Sequence, residues 1–179
     1  MRAVAALLLL TATASAQPID RAQMVDRMLG ALQAAPDEQS AGMLESAIMG
    51  QWMDAASPAV KLLLARGLRK LPEAPQDALD DFDATLNLDP TLVEGWHSRA
   101  LARARLGDTA GAEHDIAETI RLEPRHFAAF EDLSRIAEQH QDWRGAYDAE
   151  QKALEIDPKT PGGADRIKDL QRRAFGDPT

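Results

Sequence analysis

Cysteine is absent from all 179 residues, which removes disulfides, thiolate nucleophiles and thiolate metal sites together. Stability must therefore come from helix packing. Also missing are H-E-x-x-H, a glycine-rich phosphate loop and G-x-S-x-G, so the common hydrolytic and phosphate-handling chemistries lack their motifs. No segment alternates apolar and polar residues as a strand would. Basic charge is in deficit: 20 Lys and Arg stand against 29 Asp and Glu, a net charge of −9, which disfavours nucleic acid and anionic membrane surfaces. No apolar run reaches the roughly 20 residues that cross a bilayer.

What is present begins with a processing signal. Arg2 supplies a positive start, Val4 to Leu10 an apolar stretch, and Ala14-Ser15-Ala16 a small-residue cleavage site before Gln17. This predicts a leader over residues 1–16 and an exported chain with no membrane span after cleavage. The absence of cysteine excludes lipid attachment at that site. The mature chain would have 163 residues and a charge of −10, enough for one domain. Its acidity is uneven. Residues 159–179 hold 5 basic and 3 acidic groups and are the basic segment; residues 17–58 hold 2 and 6, and residues 59–158 hold 12 and 20.

A repeat governs the rest. Pro90, Pro124 and Pro158 stand 34 residues apart, and each closes one phrase: Leu86-Asn87-Leu88-Asp89-Pro90, Ile120-Arg121-Leu122-Glu123-Pro124, Leu154-Glu155-Ile156-Asp157-Pro158. Ala78, Ala112 and Ala146 keep the same period, as do positions 65, 99 and 133. A fixed period of this size means stacked helix pairs, because one pair cannot bury its apolar face alone. The units are 59–92, 93–126 and 127–160.

In the second unit the first helix runs from about Leu92 to Leu106. Thr91 and Glu94 have the spacing of a capping box. Gly107-Asp108 breaks the chain, and Asp108 caps a second helix that ends near Leu122 before Pro124. The third unit has Gln141-Asp142 at its turn, then Trp143, with Ala146, Ala149, Ala153 and Leu154 as packing face. The first turns at Leu71-Pro72-Glu73-Ala74-Pro75, where Pro75 suits a first helical turn.

Before the repeats, Ile19 to Ser57 reads as two helices around Ala35-Pro36-Asp37. Met24, Met28, Leu29 and Leu32 form one apolar stripe, and Leu44, Ala47, Ile48 and Trp52 another. The expectation is a degenerate terminal unit that caps the stack. After the repeats, Thr160-Pro161 starts a last helix to about residue 175, with Ile167, Leu170 and Ala174 on its apolar face. Residues 176–179 are expected to be disordered.

Candidate chemistry is sparse. His97, His114, His126 and His140 have no metal-ligand spacing within a helix. Glu113-His114-Asp115 resembles a ligand cluster, but adjacent helical residues point about 100° apart. Asp77, Asp80, Asp81 and Asp83 suit a helix N-terminus better than a cation site, which wants an irregular loop. Trp52, Trp96 and Trp143 are expected to pack; an exposed Trp52 would instead anchor a partner. No catalytic residue, metal or cofactor is expected.

The repeat resembles the tetratricopeptide repeat (TPR). Trp96, Ala100, Gly107, Ala112, Ile116 and Pro124 match its pattern in the second unit. Phe130, Leu133, Ser134, Ala146, Ala153 and Pro158 match in the third, and Leu62, Ala65, Ala78, Phe82 and Pro90 in the first. Arg66, Arg99, Arg103, Thr85 and Thr119 depart from it. The resemblance implies an all-α fold, a right-handed α-solenoid of stacked antiparallel helix pairs: three TPR units, an N-terminal pair at 17–58 and a capping helix at 161–175. With its leader, the chain resembles small exported bacterial TPR proteins, which implies the periplasm.

It also implies a concave groove lined by the first helix of each pair. Carried over by position, the groove holds Glu94, His97, Leu101 and Arg105, then Glu131, Arg135 and Glu138, with Leu63, Gly67 and Lys70 from the first unit. Arg99 and Arg103 either join it or cover apolar surface with their stems. The Lys/Asn clamp that one TPR subgroup uses for a peptide carboxylate is absent; Leu63, Gly67, Leu101, Glu131 and Asp132 stand there. The expected function is an exported, non-catalytic adaptor that binds a partner-protein segment in envelope maintenance or secretion. The alternative is a homo-oligomer built through the N-terminal helices or the TPR ends.

Overall fold

The computed structural model describes residues 20–54 and 56–176. The leader and residues 177–179 lie outside the described residues. Among those described there are nine α-helices and no strand: α1 Arg21–Gln33, α2 Glu38–Asp54, α3 Pro58–Lys70, α4 Pro75–Leu88, α5 Val93–Arg105, α6 Thr109–Leu122, α7 Phe127–Gln139, α8 Trp143–Ile156 and α9 Gly163–Phe175. None is long and apolar enough to cross a membrane.

The repeated phrase sets the helix ends. The acid before each proline accepts a backbone N–H two residues on: Asp89 from Thr91 at 3.0 Å, Glu123 from Arg125 at 3.0 Å, Asp157 from Lys159 at 3.1 Å. The acid and proline together close a turn that helix cannot pass. At the other turn, Asp108 and Asp142 cap α6 and α8 by accepting from Gly111 and Gly145, each at 3.0 Å. Gly107 and Gln141 precede these caps with φ of +81° and +60°, a conformation glycine adopts freely and glutamine does not. The capping box expected at Thr91 and Glu94 does not form. Leu92 is the N-cap without a side-chain bond, the Thr91 hydroxyl goes to Asp89, and Glu94 is drawn off to His126 of the next unit.

Hairpins α3–α4, α5–α6 and α7–α8 stack in order, and α9 packs on α8. Ala78, Ala112 and Ala146 are each fully buried where the paired helices approach. Gly67 sits so close to Phe82 that a Cβ would lie 2.4 Å from the ring.

Ion pairs to buried carboxylates bind the hairpins. Arg66 and Lys70 hold Asp81, while Arg99 grips Asp115 at 2.8 Å through both Nε and Nη2, and Arg103 adds a second guanidinium at 3.0 Å. Arg166 of α9 spans Glu150, Glu138 and Ser134 at 2.8 to 2.9 Å. Arg99 and Arg103 are thus interhelical clasps, neither groove residues nor solvated stems. The acidic run is divided: Asp81 turns inward, and Asp83 pairs with Arg99 at 2.9 Å.

The N-terminal pair departs from expectation. α1 and α2 pack on each other, but they do not stack on α3 as a terminal unit. They lie over α5 and reach α8. Val25, Leu29, Leu32, Ile48 and Trp52 form one core with Phe127 of α7, joined by Ala128 and Ile156. Their apolar stripe is buried against helix faces far along the chain.

Candidate functional site

α5 and α7 line one face, and α2 lies over part of it. Trp52 of α2 is the centre of the covered part. Its indole stacks on His126 with ring centroids 4.5 Å apart and planes 16° apart, and Phe127 lies beside it at 5.9 Å.

Beneath the indole is a buried polar chain. His126 is the N-cap of α7: its Nδ1 accepts the Ala129 N–H at 3.1 Å. That fixes the tautomer, so its Nε2–H donates to Glu94 at 3.2 Å. Glu94 also faces His97 Nδ1 at 3.7 Å, and His97 Nε2 meets Asp132 at 2.9 Å. Burial pushes the Glu94 carboxyl up, but hydrogen bonds from His126 and His97 prevail and hold it at about 2. Burial pushes His97 down, but the bonds to Asp132 and Glu94 raise it to about 9. Burial keeps His126 below its ordinary value, against the pull of Glu94. The charge pattern is a His97 imidazolium between two carboxylates, beside a neutral His126.

Glu94, His97 and His126 offer ligand atoms within 4.8 Å of one another, a grouping that the sequence spacing hid. A divalent metal needs the His126 Nε2 lone pair. With Nδ1 accepting from Ala129, that nitrogen carries the proton instead. The three residues are therefore satisfied as a hydrogen-bonded network, and no ligand geometry follows from their proximity.

The expected groove residues do not form one surface. Glu94 and His97 are 3% and 4% exposed under α2, so they are floor and not contact surface. Glu138 is turned to Arg166 of α9. Gly67 and Lys70 of the first unit are taken up by Phe82 and Asp81. Leu101 and Arg135 remain together, lining an open cleft of about 120 Å³ between α5 and α7 with Ala104, Asp132, Ile136 and Gln139. Arg105 is exposed on the last turn of α5. Arg135 is held over the cleft by Asp132 and by Glu131 at 3.1 Å.

Glu131 belongs to a third region, the junction of α2, α7 and the α8–α9 turn. Glu45 of α2 meets Glu131 and Asp157 there, and Thr160 bridges the latter two at 3.2 to 3.3 Å. Burial, then a hydrogen bond with Asp157 and the charges of Asp157 and Glu131, push Glu45 up to about 7. Burial also raises Glu131, against the opposing charge of Arg135. Trp52 packs as expected, but its partner His126, with Glu45 and Asp132, had no assigned role in the sequence. Trp52 and His126 had a signal: one ends an apolar stripe, and the other holds the repeat position of Leu92 and Thr160 just before a helix.

No family model matches the chain. A TPR repeat-containing protein of Rhizobium etli is 25% identical over 158 residues, which cover 88% of this chain and 78% of that protein. Among solved structures, the first TPR of Spaghetti (RPAP3) bound to the HSP90 peptide SRMEEVD superposes with a TM-score of 0.61 at 19% identity, over 65% of this chain and 94% of that one. MamA gives 0.61 at 16% identity, over 87% and 84%. The likeness to these structures is one of fold: the helix pairs stack as tetratricopeptide repeats do.

Proposed function

We propose that this chain of tetratricopeptide-repeat fold is an exported adaptor that holds a segment of a partner protein against α5 and α7 and performs no catalysis. The observation that carries it is the open α5–α7 cleft, where an apolar floor of Leu101 and Ile136 lies beside the charge of Arg135. Such a surface suits a segment that buries one or two apolar side chains and meets both signs of charge. The Spaghetti domain binds an HSP90 peptide in the same fold. A peptide as acidic as SRMEEVD does not suit this groove, whose floor and junction hold Glu94, Asp132, Glu131 and Asp157. Export rests on Arg2, Val4 to Leu10 and Ala14-Ser15-Ala16, and the periplasm is the address proposed.

The test is affinity capture from envelope extract, with wild type compared with Arg105→Glu/Arg135→Glu. A partner held by wild type and lost from the folded variant supports the reading, and identical captures remove it. Intact mass of the secreted chain, starting at Gln17, checks export. Self-association is the rival, favoured by Leu62 and Met43, which are 67% and 70% exposed. A monomer by light scattering at tens of micromolar would dismiss it.

A further inference from the structure

The strongest feature outside the open cleft is the helix pair that covers the rest of the face. We propose that α1–α2 is a displaceable lid standing in for a partner helix, and that this partner carries an aromatic side chain with a basic residue seven positions before it. The proposal rests on the groove reading above and names both its occupant and its gate.

First, the covered face already holds a helix. α2 lies over α5 and sinks Trp52 into a socket walled by His126 and Phe127. The site thus fits a helix with an aromatic anchor, one established way in which a groove takes a peptide. Second, α2 fits it imperfectly at two points. The Trp52 Nε1–H is buried without an acceptor. Glu45, two turns before Trp52 on the same side of α2, lines one cavity with Glu131, which Thr160 ties to Asp157. A carboxyl among carboxyls is the wrong charge, and a Lys or Arg at that position would meet two acceptors. The site therefore favours a helix unlike α2 in one definable respect.

Third, the lid is held by apolar burial with few polar clasps. Apart from its apolar core, α1 is anchored by exposed contacts: Asp26 with Arg125, and Gln33 Nε2 donating to the Glu155 carbonyl at 2.9 Å. The repeat hairpins, by contrast, are clasped by Arg–carboxylate pairs whose carboxylates are buried. Gly30, Gly42 and Gly50 lie inside α1 and α2 with open space around them, which weakens both helices relative to alanine. The lid belongs to the same chain as the face it covers, so an outside helix must outcompete a high local concentration.

The probe is a fluorescein-labelled peptide copying residues 38–54 with Glu45→Lys. It is titrated by anisotropy against the full chain and against the full-length variants Trp52→Ala and Glu45→Lys, with circular dichroism to check folding and Trp52→Phe as a milder opening variant. Trp52→Ala should bind about tenfold more tightly than wild type, because its lid lets go. Glu45→Lys should bind about tenfold more weakly, because its lid now has the better charge. The unsubstituted peptide should bind Trp52→Ala more weakly than the Lys peptide. Equal affinity across the chains, or no preference for the Lys peptide, overturns the proposal. Hydrogen exchange locates the failure. If α1–α2 exchange as slowly as α7–α8, there is no lid, and the groove reading stands. If they exchange faster while the peptide binds to none of the chains, the helix-binding groove is what fails. A Trp52→Ala dimer that ignores the peptide overturns the proposal in favour of lid exchange between two copies.

Discussion

Gln141 shows how a single residue departs from its repeat. It holds φ of +60° where Gly107 holds +81° one repeat earlier. A left-handed conformation costs a residue with a Cβ roughly 1–2 kcal/mol. Gln141→Gly should therefore stabilise the fold by about 1 kcal/mol, less a small loss from greater freedom in the unfolded chain. Thermal melting checks it, with a rise of about 2–4 °C expected for a chain of this size. His126 works in the opposite direction. It caps α7, supports Trp52 and donates to buried Glu94. His126→Ala leaves that carboxylate with His97 alone and should cost about 3 kcal/mol or more in urea unfolding. The same network sets a pH window. His97 is raised to about 9 when folded, so its contribution is complete below 6.5 and lost as pH climbs through 9. Glu94 is held at about 2, so its contribution is complete above 4.5 and lost as pH falls through 2. His97→Gln should flatten the alkaline limb of a melting-temperature profile and leave a smaller plateau between. None of this chemistry was legible in the sequence, because His97 and His126 are 29 positions apart and belong to different units.

Helices, by contrast, were readable wherever the cause is local. The Asp108 and Asp142 caps, the turn at Gly107 and the close-packed alanines all follow from residues a few positions apart. The alanine register carries a test: Ala112 is fully buried between α5 and α6, so Ala112→Leu should overpack the hairpin by roughly 1–3 kcal/mol. An unchanged midpoint in chemical unfolding would contradict the close approach. Reading failed where a side chain had a choice of partner. Thr91 and Glu94 have the right spacing for a cap, yet Asp89 takes the Thr91 hydroxyl and His126 takes Glu94. The stripe of α2 was visible in Ile48 and Trp52, but a stripe says only that a face is buried. Its partner, Phe127, lies 75 residues past Trp52, beyond any spacing argument.

At the scale of the whole molecule, the acidic balance and the lid are connected. Closing α2 over the repeats brings Glu45 to Glu131 and Asp157 in a chain whose net charge is already −9. Below about pH 7 the Glu45 carboxyl keeps its proton and shares it with Asp157; above that, three negative charges meet at the α2–α7 junction, with Arg135 opposing them from beside Glu131. The folded value is raised, so this contribution to closure is full below 4.5 and lost as pH rises through 7. His126 under Trp52 acts oppositely: burial lowers its value, so its contribution is complete above 6.5 and lost as pH falls below that. The lid should therefore hold best where both apply in part, around pH 6, and loosen toward about pH 8. Hydrogen exchange, corrected for intrinsic rates, should show α1–α2 accelerating relative to α7–α8 between those two values. Glu45→Gln removes the titrating group while keeping a hydrogen-bond donor, and should abolish the acceleration. A ratio that stays constant in wild type, or an acceleration that survives Glu45→Gln, would mean that the junction of Glu45, Glu131 and Asp157 does not control the lid.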